Sequence, residues 1–209
     1  RLFEGVDVAR QAHGAWVLAR AAKMWRTDEL TSAADKVIDV LLAHVSHEEN
    51  DLWLRFERET PSVAELSFLL LALCNLPADD PRRLQIKDLA RQLWSCIELP
   101  HGRVRTHPGS DPCADAFQDY FPGQVLLALA AAVEQSATEI DHTRLQRAFH
   151  YYRHRFHYKR HFGQVTWLLQ AFSNWWHVTK DATFAEFVFE VADWLLGYQQ
   201  ENTGAFIND

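Results

Sequence analysis

Glycine is scarce in this chain, with eight in 209 residues, and runs that alternate apolar with polar side chains are nearly absent. Both absences argue against a turn-rich β fold. Cysteine is scarcer still. Cys74, Cys96 and Cys113 are odd in number and widely spaced, without a CxxC pair, so neither a disulfide framework nor a four-thiolate zinc site follows. The pattern leans toward a reducing compartment such as the cytoplasm; the cellular address is otherwise unread. Excess positive charge is missing too: the net charge is −7, which removes the overall electrostatic footprint of a nucleic-acid binder. No apolar run approaches the roughly 18 residues a membrane span needs. RLFEGVDVAR has no apolar core of a signal peptide, and both ends read as cut, as expected of a fragment or processed product. HExxH, P-loop and GxSxG patterns are lacking as well.

What is present is apolar and aromatic. Hydrophobic residues make up 48% of the chain and eight are tryptophans, a globular composition able to bury a core as one domain. Helical periodicity runs throughout. It predicts eight helices, at roughly 6–25, 28–45, 62–75, 81–98, 122–136, 141–158, 163–178 and 182–198. Thr27-Asp28-Glu29, Asp79-Asp80-Pro81 and Asp181 supply N-terminal caps.

The predicted helices alternate in character. Odd-numbered ones are apolar nearly all round, as in AELSFLLLAL from Ala64 and GQVLLALAAA from Gly123, whereas even-numbered ones carry one narrow apolar stripe. A helix greasy on all sides is enclosed, and one with a single stripe lies outside. The anchors Gly14, Ala64, Gly123 and Gly163 are spaced by 50, 59 and 40 residues, and GQV opens both of the last two. That is a helical-hairpin repeat with variable connections. Links from odd to even helices are short, whereas those from even to odd are long, except near Lys159–Phe162. Long connections therefore gather where the odd helices have their N-termini. The fold expected is all-α, a ring or open arc of about four hairpins spanning 1–209.

Repeats of this form resemble the α/α-toroid superfamilies: six-hairpin glycosidases, sugar epimerases, polysaccharide lyases, and the terpenoid-cyclase/prenyltransferase group. WLLGYQQENTGAF is similar to the QW repeat of the last group, matching at Trp194, Leu195, Gln199, Gly204 and Phe206, with phenylalanine where tryptophan is usual. The terpenoid acid motifs DxDD and DDxxD are absent, and Asp79-Asp80 reads as a cap. So is the Cys-His zinc pattern of a lanthionine-cyclase-like toroid. A closed toroid of six hairpins needs about two more than are counted. The resemblance implies carbohydrate chemistry at the long-loop face; no cofactor is expected.

The stretch YYRHRFHYKRH aligns His150, His154, His157 and His161 on one helix face, beside a second stripe of Leu145, Phe149, Tyr152 and Phe156. The second stripe is the expected buried seam; Arg155 and Tyr158 point more outward. One-turn histidine spacing can hold a metal, yet no carboxylate lies within the stretch, and no metal is assigned. The expected reading is an outer-helix flank ending in a basic rim.

The longest loop, Leu99 to Gly123, carries Arg103, Arg105, His107, Asp111, Asp115, Asp119 and Tyr120. It leads into an odd-helix N-terminus, whose free N–H groups and dipole favour an anion. With Lys159, Arg160 and His161 near, a sugar acid or phosphate is the expected ligand. Asp119, Tyr120 and His107 are the candidate catalytic groups, able to do acid–base work on a sugar. Arg103, Arg105 and His161 are candidate binding groups, with Asp51 and Trp53 of HEENDLWLRF lining the site. The competing reading makes Asp115 or Asp119 a helix cap and Tyr120 packing. SNWWHVTKD reads as packing at the far end of a helix. Two functions follow: a glycosidase, lyase or epimerase-type domain that binds or processes a sugar or uronate, or a non-catalytic helical-repeat module packing on the rest of a larger protein. A small molecule or glycan is the expected partner, with neither nucleic acid nor membrane.

Overall fold

The computed structural model describes residues 7–48, 51–57, 60–109 and 117–206. These form α1 (Val8–Trp25), α2 (Asp28–Ala43), the strands β1 (Val45–Glu48) and β2 (Asp51–Leu54), then α3 (Val63–Cys74). A short 3-10 turn (Pro81–Gln85) precedes α4 (Ile86–Ser95), followed by α5 (Phe121–Glu134), α6 (His142–Tyr158), α7 (Phe162–Thr179) and α8 (Ala182–Leu196). Among the described residues the protein is all-α apart from one β-hairpin and two isolated bridges, Ile97 with Val104 and Gln199 with Phe206. No helix is long and apolar enough to cross a membrane among the described residues.

Local chemistry sets the helix starts. Asp7, Thr27, Asp141 and Asp181 each accept a backbone N–H of the following first turn. Ser62 and Glu65 form a reciprocal capping box on α3, satisfying donors the helix cannot pair itself. Two expectations need correction. The fourth helix is not continuous over 81–98: Asp80 caps a 3-10 turn opened by Pro81, and α4 proper starts at Ile86. The expected absence of strands fails in the long connection after α2, where Val45 to Glu48 pair antiparallel with Leu54 to Asp51. Leu52, Trp53 and Leu54 are all buried, so β2 has no two-residue alternation to betray it.

Burial follows the predicted alternation at α3 and α5 but not at α1 and α7, which stand at the ends of the row and bury one face only. Every residue of α3 is buried, while α2 buries only Ala34, Ile38 and Leu41 and α8 only Phe184, Phe187 and Val191. The odd helices pack in sequence, α1 on α3, α3 on α5 and α5 on α7, with α2 against α1, α4 against α3 and α5, and α8 against α7. Helix α6 joins through rings, Phe149 meeting Phe172, Phe184 and Phe187, and Phe156 meeting Phe187 and Trp194. Its seam is Leu145, Phe149, Tyr152 and Phe156, each at most 1% exposed.

The row of odd helices is bent. In a flat row α1 and α7 would lie about 25–30 Å apart at ordinary helix spacing. Instead Trp167 of α7 stands 6.0 Å from the ring of His13 and 6.4 Å from Trp16, both on α1. Phe68 of α3 lies between them, 4.8 Å from His13 and 5.4 Å from Trp167. Gly123 makes this approach possible: a Cβ there would lie 2.5 Å from the Trp167 Cβ and 2.9 Å from its backbone carbon. Closer to the C-termini, Arg20, Asn75, Glu134 and Asn174 of the four regions line one groove of about 600 Å³. Equivalent levels thus match along all four odd helices, so they run parallel.

Candidate functional site

The loop entering α5 is fixed by α6. Tyr152 donates its hydroxyl to Gln118 Oε1 at 2.7 Å and accepts the Val104 N–H at 3.0 Å, and Gln118 Nε2 donates to the Val104 carbonyl at 2.8 Å. One helical step on, Arg155 donates through Nε and Nη2 to Asp119 Oδ1 at 3.0 and 2.7 Å. Tyr152 and Arg155 lie three apart and so share a face of α6; they grip the neighbours Gln118 and Asp119. Gln164 Nε2, in the first turn of α7, donates to the same carboxylate at 2.8 Å, with Lys159 Nζ 3.9 Å from Oδ2.

Asp119 is therefore a knot between loop, α6 and α7. Burial works against its charge, but Gln164, Arg155 and Lys159 together outweigh that and hold its pKa below the usual carboxylate range. A carboxyl so held is a poor proton donor near neutrality. It is not the N-cap of α5 either: that position is Tyr120, which makes no capping bond. The expectation that Arg155 points outward is corrected, since its side chain is 10% exposed. A buried aspartate in need of a cation was the one signal that could have identified it.

Tyr120 and His161 meet beside this knot. Their rings are edge to face with centroids 5.9 Å apart, and Tyr120 is 41% exposed. Gly163 leaves room for them, because a Cβ there would run into the Tyr120 ring. His161 is the N-cap of α7, its Nδ1 accepting the Gly163 N–H at 3.0 Å. The ring proton of the neutral imidazole therefore sits on Nε2. Lys159 and Arg160 directly precede this cap. His107 packs on the two phenylalanines that bracket Tyr120 in the chain, its ring 4.9 Å from Phe117 and 5.9 Å from Phe121. Phe117 and Phe121 stack at 4.8 Å, and burial lowers the His107 pKa. Thr106 Oγ1 lies 2.9 Å from its Nδ1.

The remaining candidates stand elsewhere. Arg105 pairs with Asp51 through two nitrogens, at 3.0 and 3.2 Å, and this pairing, with help from Gln92, depresses the Asp51 pKa. Trp53 is not an open platform for a sugar. It is 1% exposed, with the Arg105 guanidinium 5.7 Å from its ring centre. Arg103 lies 5.7 Å over the Tyr151 ring. Asp51, Trp53 and Arg105 thus make one bracket joining the hairpin to the long loop, distinct from the Asp119–Tyr120–His161 group. Asp111, Cys113, Asp115 and Glu49 lie outside the described residues.

Along α6, His150, His154 and His157 are solvent-facing, with His157 Nε2 in contact with Glu190 Oε1. Among the described residues, no three His, Cys, Asp or Glu side chains gather closely enough to hold a metal ion.

Sequence reasoning passed over Glu65. It is 8% exposed in the first turn of α3, and burial raises its pKa against the opposing hydrogen bonds from the Ser62 hydroxyl and N–H. Its SxxE spacing is readable in the sequence as a capping box; its burial is not.

In comparisons with known proteins, no family model matched the chain, and no curated protein or solved structure was found similar to it.

Proposed function

We propose that the protein is an arc of four α/α hairpins of the toroid type, binding an acidic sugar (a uronate or sugar phosphate) at the N-terminal ends of α5 and α7. The observation that carries the reading is the exposed Tyr120 ring set edge-on to His161 over Gly163, beside Lys159 and Arg160. An aromatic face suits the apolar side of a pyranose, the Nε2–H of His161 suits a hydroxyl, and the cations with the α7 N-terminus suit an anionic group. The bent, parallel row of odd helices supports the arc. Recognition is favoured over acid–base chemistry, because Asp119 and Asp51 are both engaged by arginines.

Thermal shift and calorimetric titration with glucuronate, galacturonate and glucose 6-phosphate test this reading. At least one should bind saturably, and Tyr120→Ala and His161→Ala should each weaken that binding about tenfold or more. Failure of all three ligands, or full binding by both variants, would refute it.

A second reading rests on a different observation. The groove of about 600 Å³ inside the row reaches Val188 and Ala192 of α8, and Val17, Met24, Phe189 and Leu196 stand exposed on α1 and α8. Exposed apolar side chains flanking a groove suit a non-catalytic module that holds a peptide or partner domain. Peptide-library selection should then enrich sequences whose binding is lost when Ser173→Trp fills the groove.

A further inference from the structure

At the other end of the odd helices, where the short links run, the last turns of α1, the first half of α2 and the 3-10 turn enclose a cavity of about 610 Å³. Small side chains create the space. Ala19 and Ala22 of α1 and Ala34 of α2 form its apolar floor with Leu76 and Pro77; Ala19 is 2% exposed, Ala34 1% and Leu76 8%.

The charges around it do not balance locally. Arg82 is saturated: it donates to Asp35 at 2.6 Å, to Asp39 at 3.0 Å and to both oxygens of Asp80. The two acids of the cavity wall, Asp35 and Asp80, are both engaged by that one guanidinium, which offsets part of their charge; the lining sets Lys23, Arg26, Arg82 and Arg83 against them. Arg83 turns to the end of α3, donating to the Leu76 carbonyl at 3.1 Å and to Gln135 at 3.3 Å. That covers the negative end of the α3 dipole, which would otherwise repel an anion. Lys23 and Arg26 remain on the rim, exposed and without a side-chain hydrogen bond or ion pair among the described residues. Arg26 also occupies the left-handed region, with φ 53°, at a helix end where glycine or asparagine is usual. The dipole of α1 alone accounts for cations in its last turn; it does not account for the cavity beneath them.

We propose that this cavity binds a small organic anion, its carboxylate or phosphate oxygens on Lys23 and Arg26 and its apolar body on the alanine floor. The volume lies within the range of small-molecule sites. Arg82 and its three aspartates are the fixed wall, tying the 3-10 turn to α2 beside the cavity. The site is separate from the Tyr120–His161 group, and neither reading depends on the other.

The test is calorimetric titration of the whole chain with hexanoate, hexyl phosphate and inorganic phosphate at about 150 mM salt, where surface attraction is largely screened. Hexanoate or hexyl phosphate should bind one to one, and which is tighter distinguishes the carboxylate from the phosphate source. The double variant Lys23→Glu with Arg26→Glu, exposed on the rim and checked for native circular dichroism, should weaken binding at least tenfold. Arg20→Glu, on the same helix but outside this cavity, should change it less than twofold. The proposal is overturned if neither hexyl compound saturates below about 10 mM, if inorganic phosphate binds as well as hexyl phosphate, or if Arg20→Glu weakens binding as much as the double variant.

Discussion

Removing the Arg155 guanidinium isolates the Asp119 carboxylate in a site where each partner is 10% exposed. In Arg155→Ala the carboxylate keeps one Gln164 N–H and the Lys159 ammonium at 3.9 Å. Breaking a buried pair from one side costs about 3–5 kcal/mol. Lys159 is half exposed and free to close in, so the expected loss is about 2–3 kcal/mol, a fall in Tm of roughly 5–10 °C for a domain of this size. Urea unfolding of the wild type, Arg155→Ala, Asp119→Asn and the double variant measures it as a cycle. The double variant should be less destabilised than the sum of the singles by about 1–3 kcal/mol, because each single strands a buried partner. Acid adds an independent arm. The depressed Asp119 pKa stabilises the wild type fully above the unfolded carboxylate pKa, and that stabilisation disappears as pH falls through the lower folded value. Arg155 supplies part of that depression, so in Arg155→Ala the folded pKa lies higher and less stability is lost on acidification. The stability gap between the two should therefore narrow as pH falls through the carboxylate range. A cycle additive within about 0.5 kcal/mol, or a gap independent of pH, would show that Asp119 is not clamped as described.

Other expectations follow from the same packing. Gly14 has nothing within 4 Å of an added Cβ, while Gly123 meets the Trp167 Cβ at 2.5 Å. Gly14→Ala should thus raise stability by about 0.5–1 kcal/mol, and Gly123→Ala should lower it by about 1–3 kcal/mol or more, as read by thermal unfolding. Tyr152→Phe leaves the Val104 N–H and Gln118 Oε1 without a partner. The variant should lose about 1–3 kcal/mol, and limited proteolysis between Leu99 and Gly109 should quicken. Burial pushes the thiols of Cys74 and Cys96 up to about 12 and about 11. Alkylation mapped by mass spectrometry at pH 8 should spare both in the native protein and modify both in urea, since only the thiolate reacts.

Helix positions were readable because caps and periodicity are local. Thr27, Asp80 and Asp181 cap where expected, and the α6 seam of Leu145, Phe149, Tyr152 and Phe156 follows from 3.6-residue periodicity alone. The hairpin at Val45–Leu54 escaped because its second strand is buried on both faces. Asp119 was singled out from a charged loop, but its partners lie 36 and 45 residues away, and no local pattern connects them.

By itself, the sequence determined the all-α class, the helix order and the contrast between the enclosed α3 and α5 and the striped α2 and α8, since these depend on propensity and burial within one helix. Only the tertiary structure decided what the polar residues do. It engaged Asp51 and Asp119 with arginines, enclosed Trp53, brought Tyr120 to His161 over a missing Cβ, and left Lys23 and Arg26 above a cavity without a side-chain partner among the described residues. The physical reason is that ionisation, hydrogen bonding and access depend on distances of a few ångströms between distant segments, and a linear pattern does not contain those distances.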